Sequence, residues 1–289
     1  MNGQEWLAEQ FEANRGHLRS VAYRMLGSVN EADDAVQETW LRLSRSDTRE
    51  VENLGGWLTT VVARVCLDLL RSRKSRREES LEGEVATSVA THDPEHEALL
   101  ADSVGLALLV VLDTLTPAER LAFVLHDTFA VSFEEIGQIV GRTPAAARQL
   151  ASRARRRIQG VTSVPSEDLR RQREIVDAFL TALRAGDFEG LLAVLDPDVV
   201  VHVDPGAGGP GAPPEIRGAR NWAQGAINFS RMARFLELAL VNGSVGLVFA
   251  PRGRLLRVLS FRIEEGKIVE AEVIAKPERL AQMALGLVE

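Results

Sequence analysis

Apolar side chains recur every three or four positions through the first 80 residues, which is the spacing of amphipathic helices. The predicted helices end near Leu26, run from a cap at Asn30 to Leu43, and run from about Gly56 to Arg73. Residues 44–55 are polar and predict a loop. The first part of the chain is therefore expected to be a helical domain, residues 1–77.

A stretch without periodicity follows this helical domain. Residues 78–98 hold Glu, Ser, Thr, Gly and Pro, a composition typical of a flexible linker. Helical spacing returns at Ala98 and continues to Ile158. Thr116-Pro117 is a strong start signal within it, because Thr caps a helix and Pro is tolerated in the first turn. We therefore expect a second helical domain, residues 99–162.

Residues 132–158 (SFEEIGQIVGRTPAAARQLASRARRRI) predict a helix-turn-helix. Ser132 and Glu135 have the spacing of a capping box at the start of the first helix. Gly141 allows the sharp turn, and Thr143-Pro144 begins the second helix. The second helix is rich in arginine and should present its polar side to solvent.

After Pro165 the pattern changes from helices to strands. Residues 167–195 predict two helices, and the alternating segments that follow predict strands: VVVHV, LELALV, VGLVFA, LLRVLSFRIEEG and KIVEAEVIA. Asn242-Gly243 and Glu265-Gly266 predict tight hairpin turns between them. Residues 166–289 are thus expected to form an α+β domain with a curved antiparallel sheet, and the whole chain to be multidomain.

Taken over the whole chain, the net charge of −7 argues against a nucleic-acid binder. The charge is, however, unevenly distributed along the sequence. Residues 81–115 carry seven acidic side chains and no Lys or Arg, which equals the net charge of the chain. Basic side chains cluster locally, in RSRKSRR (71–77) and RARRR (153–157). Local patches decide where phosphates bind, so DNA binding stays open. The alternative is that these two basic clusters are solvated helix ends without a binding role.

Other global features narrow the location and the chemistry. No apolar run is long enough to span a bilayer, and the N-terminus lacks the basic start and apolar core of a signal peptide. Cys66, the single cysteine, lies in an apolar helical pattern and has no partner for an internal disulfide. We therefore expect a cytoplasmic protein with no membrane partner, no cofactor and no metal.

The second helix of the helix-turn-helix carries the residues best suited to DNA. Arg and Gln near the start of such a helix reach base edges in a major groove, whereas Arg155, Arg156 and Arg157 suit phosphates. The alternative is a helical hairpin whose second helix is merely basic. A polar stripe on residues 31–43 is similarly open to two interpretations, a solvated face or a surface that docks on a basic partner.

Two long segments resemble bacterial sigma factors of the extracytoplasmic-function type. EADDAVQETWLRL (31–43) is similar to the signature of sigma domain 2, and GWLTTVVARVCLDLLRSRKSRRE (56–78) resembles its promoter-reading helix. Residues 112–158 resemble sigma domain 4. The two blocks cover most of residues 10–158, in the order and at the spacing of the family.

This resemblance implies a function and a set of contact residues. The partners would be promoter DNA and core RNA polymerase, through its β′ clamp helices and β flap. The implied polymerase-binding residues are Asp33, Asp34, Gln37 and Glu38. Those implied for the −10 promoter element are Trp57, Arg64, Asp68 and Arg71. Those implied for the −35 element are Thr143, Arg148, Gln149, Ser152 and Arg153. The acidic linker would thread basic polymerase channels.

Residues 169–285 resemble the SnoaL-like domain fused to one subgroup of these sigma factors, including the closing segment Lys276–Leu280. Two departures matter. The subgroup's Trp-Leu-Pro-Glu-Pro linker motif is replaced by SLEGEVATS (80–88), and its Asp-Gly-Gly-Gly-Lys loop by the Gly/Pro-rich residues 204–211. The regulatory contacts of those motifs therefore do not transfer directly, although a regulatory tail remains the expectation.

SnoaL-like enzymes use Asp or His in a cone-shaped pocket, which makes His202, Asp204 and Trp222 candidate pocket residues. His202 and Asp204 have the spacing of one strand face, but a structural or solvated pair is the more common outcome. We therefore expect a sigma factor and not an enzyme, with a tail that regulates it and accepts a small-molecule ligand. The rival classes are a DNA-binding regulator that acts without polymerase and an enzyme with a DNA-binding front half.

Overall fold

The computed structural model of the 289-residue chain describes residues 3–46, 51–79, 105–160, 164–207, 213–251 and 254–288. The helices of the first 160 residues are α1 (Gly3–Leu26), α2 (Val29–Arg45), α3 (Leu54–Glu79), α4 (Leu106–Asp113), α5 (Pro117–Phe123), α6 (Phe133–Val140) and α7 (Pro144–Gln159). Val124–Thr128 form a π-helical turn that continues α5.

The tail contains helices and a seven-stranded sheet. Its helices are α8 (Ser166–Ala185), α9 (Phe188–Val194), α10 (Ala219–Ile227) and α11 (Pro277–Leu280), with a 3-10 turn at Ser230–Phe235. Its strands are β1 (Leu195–Val203), β2 (Glu215–Arg217), β3 (Leu236–Val241), β4 (Ser244–Phe249), β5 (Arg257–Glu264), β6 (Lys267–Ile274) and β7 (Leu285–Gly286).

Packing divides the described residues into two compact units. The first contains α1–α3 and residues Leu115–Arg155; the second contains Gly105–Thr114 and the chain from Arg156 onward. α4 therefore packs with the tail, although the sequence groups it with the second helical domain. These units are defined by packing alone, so they do not test the functional domain boundaries predicted from the sequence. Those boundaries stay a prediction.

The helices of the first unit follow the predicted pattern with small shifts at their ends. α2 begins at Val29 with Ser28 as its N-cap residue, two positions before the predicted cap at Asn30. α3 is longer than predicted at both ends. Asn53 caps its start, where Asn53 Oδ1 accepts a hydrogen bond from the Gly56 N–H at 3.0 Å. The rest of the predicted linker, from residue 80, lies outside the described residues.

The core of the first unit lies between α1, α2 and α3, and α5 and α6 pack against α3. The side chains that fill the centre of the three-helix part are fully buried: Phe11, Leu18, Met25, Leu43, Leu58 and Leu67. They come from all three helices, and the three on α1 recur every seven residues, so this helix turns one apolar side inward. The polar sides of α2 and α3 are left for solvent.

The tail sheet has the strand order β2-β1-β6-β5-β4-β3-β7. Neighbouring strands are antiparallel except β1 and β6, which pair in parallel, so the expectation of an antiparallel sheet is wrong for that pair. β1 and β6 are far apart in sequence, and no local signal fixes their relative direction. Both hairpin turns form as predicted, with positive φ at Asn242 and Gly243 and at Glu265 and Gly266.

α8, α9 and α10 cover one face of this sheet, where Phe179, Leu183, Trp222 and Leu247 are among the buried residues. Helices that precede a curved sheet and pack on one face agree with the α+β, SnoaL-like fold that the sequence resembles. Successive strand residues point to opposite faces, yet both faces of β3 and β4 are buried. α4 packs against β3 and helps to explain this burial.

Within the described residues, no helix combines the length and the apolar character needed to cross a bilayer.

Candidate functional site

The helix-turn-helix of α6 and α7 is built from local signals in the sequence. Ser132 and Glu135 form the predicted capping box, and Gly141 adopts the left-handed conformation with φ 69°. A Cβ on Gly137 would lie 2.7 Å from the backbone oxygen of Arg142, so only glycine fits this close turn. Thr143 Oγ1 accepts a hydrogen bond from the Ala146 N–H at 3.2 Å and caps α7.

α7 turns one side inward and presents the other to solvent. Its buried residues are Ala147, Leu150, Ala151, Ala154 and Ile158. Its exposed side carries four of the residues expected to contact the −35 element, Arg148, Gln149, Ser152 and Arg153, and two expected to contact phosphates, Arg156 and Arg157. Thr143, the fifth −35 candidate, is exposed as well but serves as the cap.

Three of these arginines already have partners within the first unit. The Arg148 guanidinium lies 5.1 Å from the centre of the Phe133 ring, a cation–π contact. Arg153 is 3.4 Å from the Glu119 carboxylate. Arg155 forms a two-pronged ion pair with Asp127. These contacts hold the side chains in place, and Arg155 is therefore less available to phosphate than the sequence suggested.

α3 carries the residues expected to contact the −10 element along one stripe. Arg64, Asp68 and Arg71 are exposed, and Trp57 is half-buried two turns earlier on the same side. Arg71 and Asp68 approach to 4.0 Å, an exposed pair one turn apart. An exposed pair of this kind contributes little to stability, so both side chains can change partner at small cost.

α2 brings the expected polymerase-binding residues to its solvent side. Asp33, Asp34 and Gln37 are exposed and Glu38 is half-buried. Arg19 of α1 donates hydrogen bonds to both oxygens of Asp33, at 2.6 and 3.0 Å, and Glu38 accepts one from Arg42 at 2.9 Å. The stripe is therefore less acidic than the sequence suggested, because two of its three carboxylates are paired.

The sequence pattern alone does not predict one exposed apolar side chain on this stripe. Leu41 lies one turn beyond Gln37 and is 40% exposed. Its position on the polar side of an amphipathic helix is the signal that would have identified it.

The candidate pocket residues of the tail have separate partners. His202 is exposed between two glutamates, with Nε2 3.4 Å from Glu270 and Nδ1 3.8 Å from Glu215. Asp204 is buried and accepts hydrogen bonds from the Ala275 and Lys276 N–H groups at 3.1 and 3.2 Å. The acid–base pair considered from the sequence therefore gains no support from these contacts.

Asp204 also ties the end of β1 to α11. Arg279 donates to its carboxylate at 2.9 Å and to Glu272 at 2.5 Å. Burial raises the pKa of Asp204, but the two N–H donors and Arg279 outweigh it, so the pKa lies below its usual value. Trp222, the third candidate, is buried and stacks on Phe179 with ring centres 5.1 Å apart. In the described part of the chain no three metal-binding side chains come together.

Comparisons with known proteins match both helical segments. The family model described as Sigma-70 region 2 matches residues 10–76, and that described as Sigma-70, region 4 matches residues 105–158. A protein with these two regions, the second ending in a helix-turn-helix, is of the sigma factor class.

Full-length relatives specify the family. The ECF RNA polymerase sigma factor SigJ of Mycobacterium tuberculosis (strain ATCC 25618 / H37Rv) is 38% identical over 287 residues, which cover 93% of this chain and 92% of SigJ. The probable ECF RNA polymerase sigma factor SigI of M. tuberculosis (strain CDC 1551 / Oshkosh) is 33% identical over 97% of both chains. A crystal structure of SigJ aligns with 34% identity and a TM-score of 0.45, covering 94% of this chain and 97% of that one.

The chain belongs to the extracytoplasmic-function (ECF) RNA polymerase sigma factors. It is thus a transcription initiation factor that binds RNA polymerase and directs promoter-specific transcription, as the sequence resemblance implied.

Proposed function

We propose that three exposed helix faces divide the work of this sigma factor. The α2 stripe, Asp33 to Glu38, binds the β′ clamp helices of core polymerase, and Leu41 adds an apolar contact beside it. The α3 stripe, Trp57 to Arg71, engages the −10 element and captures an unstacked base. α7 enters the major groove of the −35 element, while the second helical domain contacts the β flap.

The exposed side of α7 is the observation that carries this proposal. Its first turns present Arg148 and Gln149, whose side chains match the base edges of guanine and adenine. Arg156 and Arg157 follow two turns later, where a helix that lies in the groove meets phosphates. The helix is fixed beneath by its buried alanines and leucine, so the exposed side chains are held in a defined direction.

Run-off transcription with core polymerase tests this assignment, on a promoter selected with the wild-type protein. Arg148→Ala should weaken binding to that promoter by about 1–3 kcal/mol and relax base preference. Arg171→Ala is the matched control, because Arg171 is an exposed helical arginine of the tail that pairs with Glu167 one turn away. Equal transcript from both variants would contradict the role of α7.

We further propose that the tail regulates the sigma factor without catalysing a reaction. Support comes from α4, which lies in the segment matched by Sigma-70 region 4 and yet packs with the tail sheet. A tail that holds part of the DNA-reading segment biases its arrangement. A small-molecule ligand of the tail would act only through different affinities for two arrangements.

Transcription by the full chain and by a chain ending near Pro165, compared at equal occupancy of core polymerase, tests the regulatory role. We expect promoter activity to change several-fold. His202→Ala should change it little, because the imidazole is exposed and lies among surface glutamates. Unchanged transcription after truncation, together with turnover by the intact protein, would favour the enzymatic alternative. A cytoplasmic location follows from the proposed partners, core polymerase and the chromosome.

The domain assignment that accompanies these roles is residues 1–77 for polymerase and −10 binding, 78–98 as an acidic linker, 99–162 for −35 binding, and 166–289 as the regulatory tail. The linker's role inside polymerase channels rests on the acidic composition of residues 81–115, where five of the seven acidic side chains lie within the linker. Most of that segment lies outside the described residues, so the support is its composition alone.

A further inference from the structure

One segment of the tail is strongly basic although the chain as a whole is acidic. Residues 219–257 carry six arginines and a single acidic residue, Glu237. The rest of the tail, residues 166–218 and 258–289, carries nine basic and 16 acidic side chains. The same segment leaves three large apolar side chains exposed: Phe229, Met232 and Leu256. It therefore differs from the surrounding tail in both charge and exposed apolar surface.

The folded tail brings the two ends of this segment together at one end of the sheet. The 3-10 turn Ser230–Phe235 leads directly into β3. Phe249, the last residue of β4, pairs with Leu236 of β3 on one side and with Arg257 of β5 on the other. The rings of Phe235 and Phe249 meet edge-on with centres 6.3 Å apart. The 3-10 turn and the start of β5 therefore border one surface.

Aromatic rings and the geometry of the turn hold arginines at this surface. The Arg234 guanidinium lies 4.7 Å from the centre of the Phe235 ring. The Arg257 guanidinium lies 5.4 Å from the centre of the Phe249 ring. Residues three apart eclipse one another in a 3-10 turn, so Arg231 lies on the same side as Arg234, and both are exposed.

These arginines lack the carboxylate partners that other arginines of the tail have. Within the described residues, no ion pair forms at any of the four that make up what we call the arginine surface: Arg231, Arg234, Arg254 and Arg257. Glu237, the one acidic residue of the segment, lies 3.2 Å from Arg184 of α8. Elsewhere in the tail, ion pairs with carboxylates form at Arg171, Arg217, Arg262 and Arg279.

Phosphate is the anion that this surface fits best. A guanidinium presents a planar fork of N–H donors that binds phosphate through two parallel hydrogen bonds. Burial lowers the pKa of the Arg257 guanidinium, and an external anion would offset this effect. Arginines accompanied by Phe, Leu and Met are typical of proteins that bind the minor groove, where the apolar side chains insert between base steps. A sigma factor has such a ligand in its promoter DNA.

The chain connection keeps the tail near promoter DNA whenever α7 occupies the −35 element. α7 ends at Gln159 and α8 begins at Ser166. The intervening residues span at most about 25 Å. A domain of about 120 residues has a radius of gyration of about 14 Å. The arginine surface is therefore within roughly 60 Å of the end of α7, which equals about 17 base pairs at 3.4 Å per pair.

We infer that the arginine surface of the tail binds phosphates and the minor groove of the promoter duplex upstream of the −35 element, and adds affinity that is largely independent of sequence. The inference goes beyond the regulatory role proposed for the tail, and its position on DNA rests on the proposed placement of α7. The duplex on the other side of the −35 element leads to the −10 element, which α3 is proposed to bind. The upstream side is therefore the free one.

The salt dependence of promoter binding tests the inference, with holoenzyme made from core polymerase and the full-length protein. One variant combines Arg231→Gln, Arg234→Gln and Arg254→Gln, which removes three exposed charges. The logarithmic salt slope should become shallower by about 2–3, at roughly 0.9 per lost phosphate contact. Between about 50 and 200 mM salt, the variant should thus lose roughly 10–40-fold less affinity than the wild-type protein. The matched control removes three exposed arginines that have partners: Arg171→Gln, Arg217→Gln and Arg262→Gln.

The length of the promoter duplex provides the second comparison. A duplex that ends directly upstream of the −35 element lacks the phosphates that the arginine surface would contact. The wild-type protein and the triple variant should bind this short duplex with the same salt slope. A slope difference of equal size on the long and the short duplex would contradict the upstream position.

DNA cleavage locates the surface without altering any arginine. Leu256→Cys places a thiol at an exposed position two residues from Arg254, and Cys66→Ala in the same chain leaves it as the single thiol. An iron chelate attached to this thiol produces hydroxyl radicals that cut nearby DNA. The labelled holoenzyme should cut the promoter within about 20 base pairs upstream of the −35 element, given the reach of the tail.

The outcomes separate this inference from the proposed function. Equal salt slopes of the triple variant and the wild-type protein on the long duplex, or no cleavage upstream of the −35 element, would overturn the inference. A triple variant with reduced affinity for core polymerase in the absence of DNA would also overturn it, because the surface would then bind an acidic protein. Promoter binding that is indifferent to Arg148→Ala would instead contradict the placement of α7, while the salt slopes would still decide whether the tail binds duplex DNA.

Discussion

Arg155 and Asp127 form an ion pair that connects α7 to the π-helical turn 28 residues earlier. Arg155 Nε donates to one carboxylate oxygen at 2.8 Å, and a second guanidinium nitrogen donates to the other oxygen. This pairing raises the pKa of the Arg155 guanidinium through the hydrogen bond to Asp127. A side chain that the sequence assigns to phosphate contact is thereby fixed as a brace within the unit.

Removing the charge of Asp127 should allow Arg155 to contact DNA phosphates. We expect Asp127→Asn to raise affinity for all DNA sequences and to steepen the salt dependence by the equivalent of one phosphate, about 0.9 in the logarithmic slope. Arg156→Ala should do the opposite and reduce the slope by about 1. Binding isotherms at several salt concentrations check both. A slope that Asp127→Asn leaves at its wild-type value would contradict the brace.

Charge reversal on α2 should weaken binding to core polymerase. Asp34→Lys and Glu38→Lys place positive charge on a face expected to meet a basic partner, so affinity should fall while the fold is retained. Glu12→Lys on α1 is the comparison, because this exposed carboxylate lies outside the α2 stripe and its exposed pair with Arg15 contributes about 0–1 kcal/mol. The measurement is competition with another sigma factor for core polymerase. Undiminished competition by the charge-reversed variants would contradict the assignment of the α2 stripe to polymerase binding.

Adding a methyl group to either of two glycines should have opposite effects on stability. Gly137→Ala forces a Cβ to within 2.7 Å of the Arg142 backbone oxygen, so the helix-turn-helix should lose stability and −35 binding. Gly16→Ala, on α1, meets no atom within 4 Å and should stabilise the protein by about 1 kcal/mol through helix propensity. Thermal unfolding of the two variants gives the comparison. Equal effects would mean that the turn is not as tight as described.

Cys66 should make stability fall at high pH. Burial raises the pKa of its thiol to about 12, and the nearby Arg120 charge only partly opposes this. The unfolded thiol has a pKa of about 8.5, so its contribution is complete below that value and is lost as the pH rises towards the folded pKa. The free energy of unfolding should fall by up to about 1.4 kcal/mol per pH unit in that window.

Other groups also titrate in this window, so the comparison is with Cys66→Ala. Urea unfolding at pH 8 and pH 10 should give a steeper loss for the wild-type protein than for the variant. The same burial predicts slow alkylation of the native thiol, because only the thiolate reacts. Parallel pH profiles of the two proteins would show that Cys66 ionises normally.

Local signals in the sequence predict much of this fold. The Ser132–Glu135 capping box and the Asn242-Gly243 turn appear where the residue types require them, since both act within four residues. The sequence pattern does not predict β2 and β7, because these strands are three and two residues long and form through pairing with β1 and β3. The parallel pairing of β1 with β6 depends on chain segments about 70 residues apart.

The candidate binding surfaces show the same contrast between features set by local sequence and features set by contacts between distant residues. Helical spacing correctly predicts which sides of α2, α3 and α7 are exposed. It does not predict which exposed charges are neutralised, because Arg19–Asp33 and Arg153–Glu119 join different helices. The buried position of Arg120 is equally non-local. A long cationic side chain next to a capping Glu is usually solvated, and only the packing of α5 on α3 turns it inward.

The packing of α4 on the tail sheet limits how this tail could be transferred to another sigma factor. Its sequence, LALLVVLD, is apolar on every side, and it packs on β3 although about 50 residues separate it from the tail's first helix. A tail transplanted onto another sigma factor from Pro165 onward would arrive without this helix. The graft would be sound only if residues 105–114 travelled with it or if the host supplied an equally apolar helix. The packing unit that this tail forms is therefore discontinuous in the sequence.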